Sequence, residues 1–303
     1  MPSGELGLAD MEVPVGPPTG LGATLPESRA ALGPSRSPIF EGIVSALRSA
    51  GCVFAEDEAN LLLAGASSPT DLARNVRRRM EGVPLEHILG WADFAGLHIL
   101  VEPGVFVPRR RTELLVNEAV ALLPAGLVPT PPVVVDLCCG SGAVGAAIIH
   151  QAPGVELHAA DIEPEAIRCA LRNVGLTGGH VHLGDLFEAL PSALRGQVQV
   201  LVVNAPYVPT EAIRTMPPEA RLYEPIASLD GGPDGLDFHR RVAAGALEWL
   251  APGGHLLIET SQRQAAGTSA ILAANGFRTR TARSEDLDGT VVLGTAEPGD
   301  LLP

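Results

Sequence analysis

From residue 133 to 295, short runs of β-branched and aliphatic residues alternate with helix-length segments. Strand patterns fall at 133–137, 155–160, 180–183, 200–203, 255–259, 277–282 and 290–295. Helix patterns lie between them at 142–150, 164–174, 238–250 and 264–275, the last closed by Gly276. A strand followed by a helix-length crossover pairs in parallel with its neighbour, because a tight hairpin is not available to it. The expected fold class is therefore α/β, a mostly parallel sheet with helices on both faces. In such a sheet, ligands bind beyond the carboxyl ends of the strands.

Four of those strand ends carry polar groups. The run at 200–203 ends in Asn204-Ala205-Pro206-Tyr207. Pro206 cannot continue a central strand, so an amide, backbone carbonyls and a phenol are left at the edge. The first strand leads into Asp136-Leu137-Cys138-Cys139-Gly140-Ser141-Gly142-Ala143-Val144-Gly145. Its glycines suit a tight turn and close backbone approach to a ligand, and their spacing also fits the G-x-G-x-x-G of a dinucleotide site. Asp136, however, would repel a pyrophosphate and suits a ligand bearing an ammonium group. Asp161 ends the next strand, placed to accept ribose hydroxyls. Gly184-Asp185-Leu186-Phe187 ends the third, with a carboxylate for an exocyclic amine and apolar groups for an adenine ring. Each carboxylate alone reads as a structural cap. Three in succession point to a cationic nucleoside, S-adenosylmethionine.

The amide and phenol after the fourth strand then suit a methyl acceptor with a planar NH₂ group, either a carboxamide or a nucleobase. Asn204 Oδ1 and the Ala205 carbonyl can each accept one N–H, while Tyr207 stacks on the plane. A plain strand-to-turn junction is the bland alternative.

The remainder of the chain sets limits. Residues 1–37 are rich in Pro, Gly and Ser and read as disordered. Residues 38–90 show three short helical patterns, a small domain that must lean on something larger. Its Arg77-Arg78-Arg79 run reads as a solvated face. Residues 91–112 read as a β-hairpin connector around Gly96, and 113–303 as the catalytic domain. The net charge of −14 argues against capture of bare nucleic acid. No span suits a membrane and no signal peptide is apparent. The 4 cysteines show no CxxC spacing and the 8 histidines no ligand spacing, so neither disulfides nor a metal is expected. Asp230, Asp234 and Asp237 fit no EF-hand. A cytoplasmic monomer is expected.

Several segments resemble the HemK/PrmC-type S-adenosylmethionine-dependent methyltransferases. They are Pro84-Leu85-Glu86-His87-Ile88-Leu89-Gly90, the Pro103-Gly104-Val105-Phe106-Val107-Pro108-Arg109 signature, the loop at 136–142, and Asp161 with Pro164-Glu165-Ala166. Further along come Gly184-Asp185-Leu186-Phe187, Glu224-Pro225 with the glycine-rich run from Asp230 to Asp237, Pro252-Gly253-Gly254, and Glu259-Thr260-Ser261-Gln262. The resemblance implies a Rossmann-like methyltransferase with a small N-terminal helical domain that helps hold a protein substrate. It implies methylation of glutamine N5 in a peptide chain release factor. Asn204, Ala205, Pro206 and Tyr207 would be catalytic. The cofactor set would be Phe106, Arg109, Asp136, Cys138, Gly140, Ser141, Gly142, Asp161, Ile162, Asp185, Leu186, Phe187 and Asn204. The chain departs from the family at Ala205, where a second proline is usual, and at Cys138-Cys139, where Gly-Thr is common. It departs too at Arg110-Arg111 and at Asp288-Gly289-Thr290, which lacks a usual arginine. A nucleic-acid base N-methyltransferase and a non-catalytic cofactor- or release-factor-binding module are the alternatives.

Overall fold

The computed structural model describes residues 37–124 and 129–296. The expectation for residues 1–37 falls, except for Ser37, outside the described residues.

Four helices come first: α1 (Pro38–Ser49), α2 (Ala55–Gly65), α3 (Pro69–Met80) and α4 (Leu85–Leu89). They share a core of Phe40, Ile43, Val44, Leu47, Ala55, Ala59 and Leu62. Ser68 caps α3 by accepting the Asp71 N–H at 3.1 Å, and Pro69 occupies its first turn, as its helix-start signal predicts. The solvated-face reading fails at Arg79. That side chain is buried and forms an ion pair with buried Glu58 of α2 at 2.6 Å, while Met80 is exposed instead. A buried carboxylate needs a counter-charge more than the face needs one more thioether. The short α4 was not foreseen, since five residues are too few to show a helical period.

The hairpin follows as β1 (Trp91–Phe94) and β2 (Leu97–Leu100), shorter than the sequence implies because Ala95 and Gly96 both take positive φ in the turn. Next come α5 (Glu113–Val120), β3 (Val133–Leu137), α6 (Ala143–Gln151), β4 (Glu156–Asp161), α7 (Pro164–Asn173), β5 (His180–Leu183) and β6 (Val198–Val203). The chain continues with α8 (Pro218–Tyr223), α9 (Asp237–Trp249), β7 (Leu250–Glu259), α10 (Ala265–Ala274), β8 (Phe277–Ser284) and β9 (Gly289–Ala296). Strand β7 starts five residues before the expected 255. Leu250 pairs with Val198 and His255 with Val200, so residues 251–254 bulge outward.

The large sheet has seven strands in the order β5-β4-β3-β6-β7-β9-β8, with only β9 running antiparallel to its neighbours. Along β6, Val200 and Val202 enter the core beneath α5 and α6, while Leu201 and Val203 enter the core beneath α9. Burial on both faces is the reason this strand reads as an unbroken apolar run. The described residues from Ile39 onward form one compact unit.

Candidate active site

Strand order turns at β3: β4 and β5 lie on one side, β6 and β7 on the other. A cavity of about 340 Å³ opens at that edge, walled by the loops that leave β3, β4, β5 and β6. This is the switch point at which open α/β sheets bind ligands.

The loop after β3 is held in an unusual conformation. Cys138, Gly140 and Gly142 all take positive φ. Two carboxylates brace it. Asp136 Oδ2 accepts the Gly145 N–H at 2.9 Å, and Asp161 Oδ2 accepts the Gly140 N–H at 2.8 Å. Asp161 Oδ1 also accepts the Glu163 N–H at 3.0 Å. Burial pushes the Asp136 carboxyl up to about 7, opposed by the Gly145 N–H and reinforced by the Asp161 charge. Burial likewise raises Asp161. Asn173 clamps the loop to the hairpin: its Nδ2 donates to Ser141 O at 2.8 Å and Leu100 O at 2.9 Å, and its Oδ1 accepts the Leu100 N–H at 3.0 Å. Burial, assisted by nearby carboxylates, pushes the Cys138 and Cys139 thiols upward, which makes them inert fillers rather than nucleophiles.

The cavity wall brings together Phe106, Arg109, Asp136, Cys138, Gly140, Ser141, Asp161, Ile162, Asp185, Leu186, Asn204, Ala205, Pro206 and Tyr207. Two residues of the expected set lie outside it. Gly142 begins α6, where an added Cβ would strike Val174 at 2.8 Å, so it serves helix packing. Phe187 stacks on Trp249 at 5.8 Å and packs against Gly245 in the core. Asp185 is ion-paired with Arg241 at 2.7 Å, a partner the sequence did not suggest.

At the turn beyond β6, Asn204 Nδ2 donates to Thr112 Oγ1 at 3.4 Å, and its Oδ1 has no hydrogen-bond partner among the described residues. The Tyr207 hydroxyl donates to Glu259 Oε1 at 3.2 Å. A glycine-rich segment braces the turn from behind. Val208 N–H donates to Leu229 O at 3.0 Å, and Gly231 N–H to Val208 O at 2.9 Å. A Cβ on Gly231 would meet Pro206 O at 2.7 Å, and one on Gly235 would meet Tyr207 O at 2.3 Å. Only glycine permits that approach. Gln264 Nε2 adds a bond to Tyr207 O at 2.8 Å. The mobility that alanine allows at position 205 is thus offset by neighbours on the far side of the turn.

Sequence reasoning assigned no task to Arg111, Thr112, Glu224 or Glu259. Glu224 is buried, pairs with Arg109 and accepts the Val107 N–H at 3.4 Å, so it pins the 103–109 loop to the wall. The Arg109 guanidinium lies 5.2 Å from the Phe106 ring centre. Glu224 and Glu259 fall inside segments that carried the family resemblance, which was the available signal for them.

Comparison with known proteins agrees with this geometry. A family model described as the methyltransferase small domain matches residues 96–218. The release factor glutamine methyltransferase of Geobacter sulfurreducens is 39% identical over 204 residues, 67% of this chain and 69% of that protein. The 4-amino-L-phenylalanine/4-methylamino-L-phenylalanine methyltransferase of Streptomyces pristinaespiralis is 36% identical, covering 76% of this chain and 78% of that protein. Among solved structures, the release factor-specific protein-(glutamine-N5) methyltransferase of Alicyclobacillus acidocaldarius is 28% identical. It covers 65% of this chain and 99% of its own with a TM-score of 0.41.

Proposed function

We propose that this chain, which belongs to the family of release factor glutamine methyltransferases, methylates the side-chain amide nitrogen of a protein glutamine, with S-adenosylmethionine as donor. The observation that carries this reading is that Asn204 and Tyr207 share one cavity with the braced glycine loop and the strand-end carboxylates.

The residues suit the donor. A Cβ built on Gly140 would stand in open space, so the loop backbone is bare on one side. Asp136 and Asp161 supply carboxyl oxygens for an ammonium group and a ribose diol, and Ile162 and Leu186 supply apolar surface for a base. The donor supplies a methyl group made electrophilic by its attachment to a sulfonium. Everything else falls to the chain. An amide nitrogen is a weak nucleophile because its lone pair is delocalised into the carbonyl. Asn204 Oδ1 and the Ala205 carbonyl would each accept one N–H of the glutamine, and Tyr207 would cover its plane. Orientation and preorganised dipoles do the work, with no strong base required. Asp185, held by Arg241, would stand at the far end of the donor site. Residues 38–90 would form the recognition domain for the protein substrate, joined through the 91–112 hairpin to the catalytic domain at 113–303. A release factor substrate places the enzyme in the cytoplasm.

The test presents purified protein with S-adenosylmethionine and release factors, and maps the added methyl group by mass spectrometry. A methylated glutamine is the expected result. Methyl transfer to an oligonucleotide or to 4-amino-L-phenylalanine, with the release factor untouched, would overturn the proposal.

A further inference from the structure

A second, smaller cavity of about 210 Å³ lies beside the first, and Arg111 and Tyr207 line both. Sheet register assembles its far side. Arg283 of β8 stands opposite Thr290 of β9, so the two side chains share one face of the sheet. The Thr260 N–H, just beyond β7, donates to Thr290 O at 3.0 Å and brings a third strand end to the same place. Glu259 fixes the shared wall: its Oε1 accepts the Tyr207 hydroxyl at 3.2 Å and lies 3.5 Å from Arg111 Nε. Nε is one of five N–H donors in that guanidinium, and 44% of the Arg111 side chain stays exposed. Arg283 is exposed and forms no ion pair among the described residues. Asp288 also lines the cavity, yet among the described residues no ion pair joins it to either arginine.

We propose that this cavity binds a carboxylate of the substrate, carried beside the amide that is methylated. The proposal rests on the glutamine reading above and adds what must flank that glutamine. Two places at which the sequence departs from the family pattern, Arg111 and the turn Asp288-Gly289-Thr290, meet here although they are distant in the chain. The short Thr290 side chain leaves open the space opposite Arg283. A guanidinium matches the two oxygens of a carboxylate with parallel N–H groups, and it keeps its charge at any working pH. The volume is below that of a whole ligand site and suits one side chain of a larger substrate. Because Tyr207 belongs to both cavities, a substrate whose amide lies against that ring places its neighbouring group at the arginines. An acidic residue next to the glutamine and the α-carboxylate of a free amino acid offer this same chemistry.

The experiment uses the full chain labelled with ¹⁵N-arginine and saturated with S-adenosylhomocysteine. The Nε signals of Arg111 and Arg283 are identified by their loss in Arg111→Gln and Arg283→Gln. The probes are acetyl-Gln-Glu-amide, acetyl-Glu-Gln-amide, the neutral acetyl-Gln-Gln-amide, and free L-glutamine. An acidic peptide should displace both signals and bind about tenfold tighter than the neutral one, the yield of one charge-assisted contact. Arg283→Gln should erase that preference, with affinity for S-adenosylhomocysteine unchanged within about twofold. A response to L-glutamine alone would assign the cavity to the α-carboxylate of a free amino acid. Signals that stay in place with every probe, or that move equally with the neutral peptide, would overturn the proposal. If a release factor glutamine is methylated as fast by Arg283→Gln as by the native chain, the carboxylate subsite falls and the glutamine reading stands. If the acidic probes bind as described while no glutamine is methylated, the subsite stands and the glutamine reading falls.

Discussion

Replacing Asn204 with alanine removes one amide oxygen from the cavity wall and leaves the glycine loop untouched. Loss of one such aimed group costs about 10²–10³ in kcat. Asn204→Ala should therefore nearly abolish methyl transfer, while calorimetry with S-adenosylhomocysteine finds affinity within a few-fold of the native value. A large loss of that affinity would mean the residue holds the donor rather than the acceptor. Asp136 gives a different signature. Its carboxyl is raised from 3.8 to about 7 by burial, so near neutrality the native chain retains a proton that the unfolded chain has released. Its contribution to stability is fully present below 3.8 and is lost as pH rises through about 7. Asp136→Asn, neutral at all pH, should gain on the native protein in urea midpoints as pH climbs through that window. Parallel curves would show that the carboxyl is already ionised in the fold. Asp136 could be read from the sequence because it precedes a glycine loop. Thr112 could not be read as a partner of the turn after β6, because Asn204 is distant from it in the chain and only the tertiary fold brings the two together.

At the scale of elements, one side chain bridges the hairpin to the loop after β3. Asn173, the last residue of α7, makes three hydrogen bonds, two to Leu100 and one to Ser141. Asn173→Ala leaves those backbone groups without that partner, at a cost of about 2–3 kcal/mol. Faster amide exchange across β1 and β2 and weaker donor binding should accompany the loss, and unchanged exchange would show that the hairpin is held by its apolar contacts alone. The α6 start is similarly exacting. Gly142 has φ of +77° and lies so close to Val174 and Ala170 that a side chain must displace α7. Gly142→Val should destabilise the fold by about 1–3 kcal/mol, read as a fall in Tm. The glycine-rich run at 231–235 was visible in the sequence as turn chemistry. Its purpose, a backbone brace against Pro206 and Tyr207, depends on a contact that no local pattern encodes.

At the scale of the whole molecule, the N-terminal helices are tied to the segment that frames the cavity. Arg79 pairs with Glu58 at 2.6 Å and reaches Glu219 of α8 at 3.4 Å, and the Tyr223 hydroxyl donates to Glu81 O at 3.2 Å. Arg79→Met leaves Glu58 buried without its cation, and should cost about 3–5 kcal/mol in equilibrium unfolding. Adding Glu58→Leu should recover much of it, and failure to do so would place the effect in lost packing of the Arg79 stem. The alternation of strands and helices, the glycine loop, the strand-end carboxylates and the Asn204-Ala205-Pro206-Tyr207 turn were legible from the chain alone. Each depends on residues within one element or its adjoining turn, where periodicity and backbone restriction act directly. The inward turn of Arg79, the packing roles of Gly142 and Phe187, the Asp185–Arg241 pair and the Glu259 carboxyl against the Tyr207 hydroxyl were decided only by the tertiary structure. A buried charge takes its partner from whichever segment the fold brings within reach, and sheet register sets that choice across stretches of chain that share no local pattern.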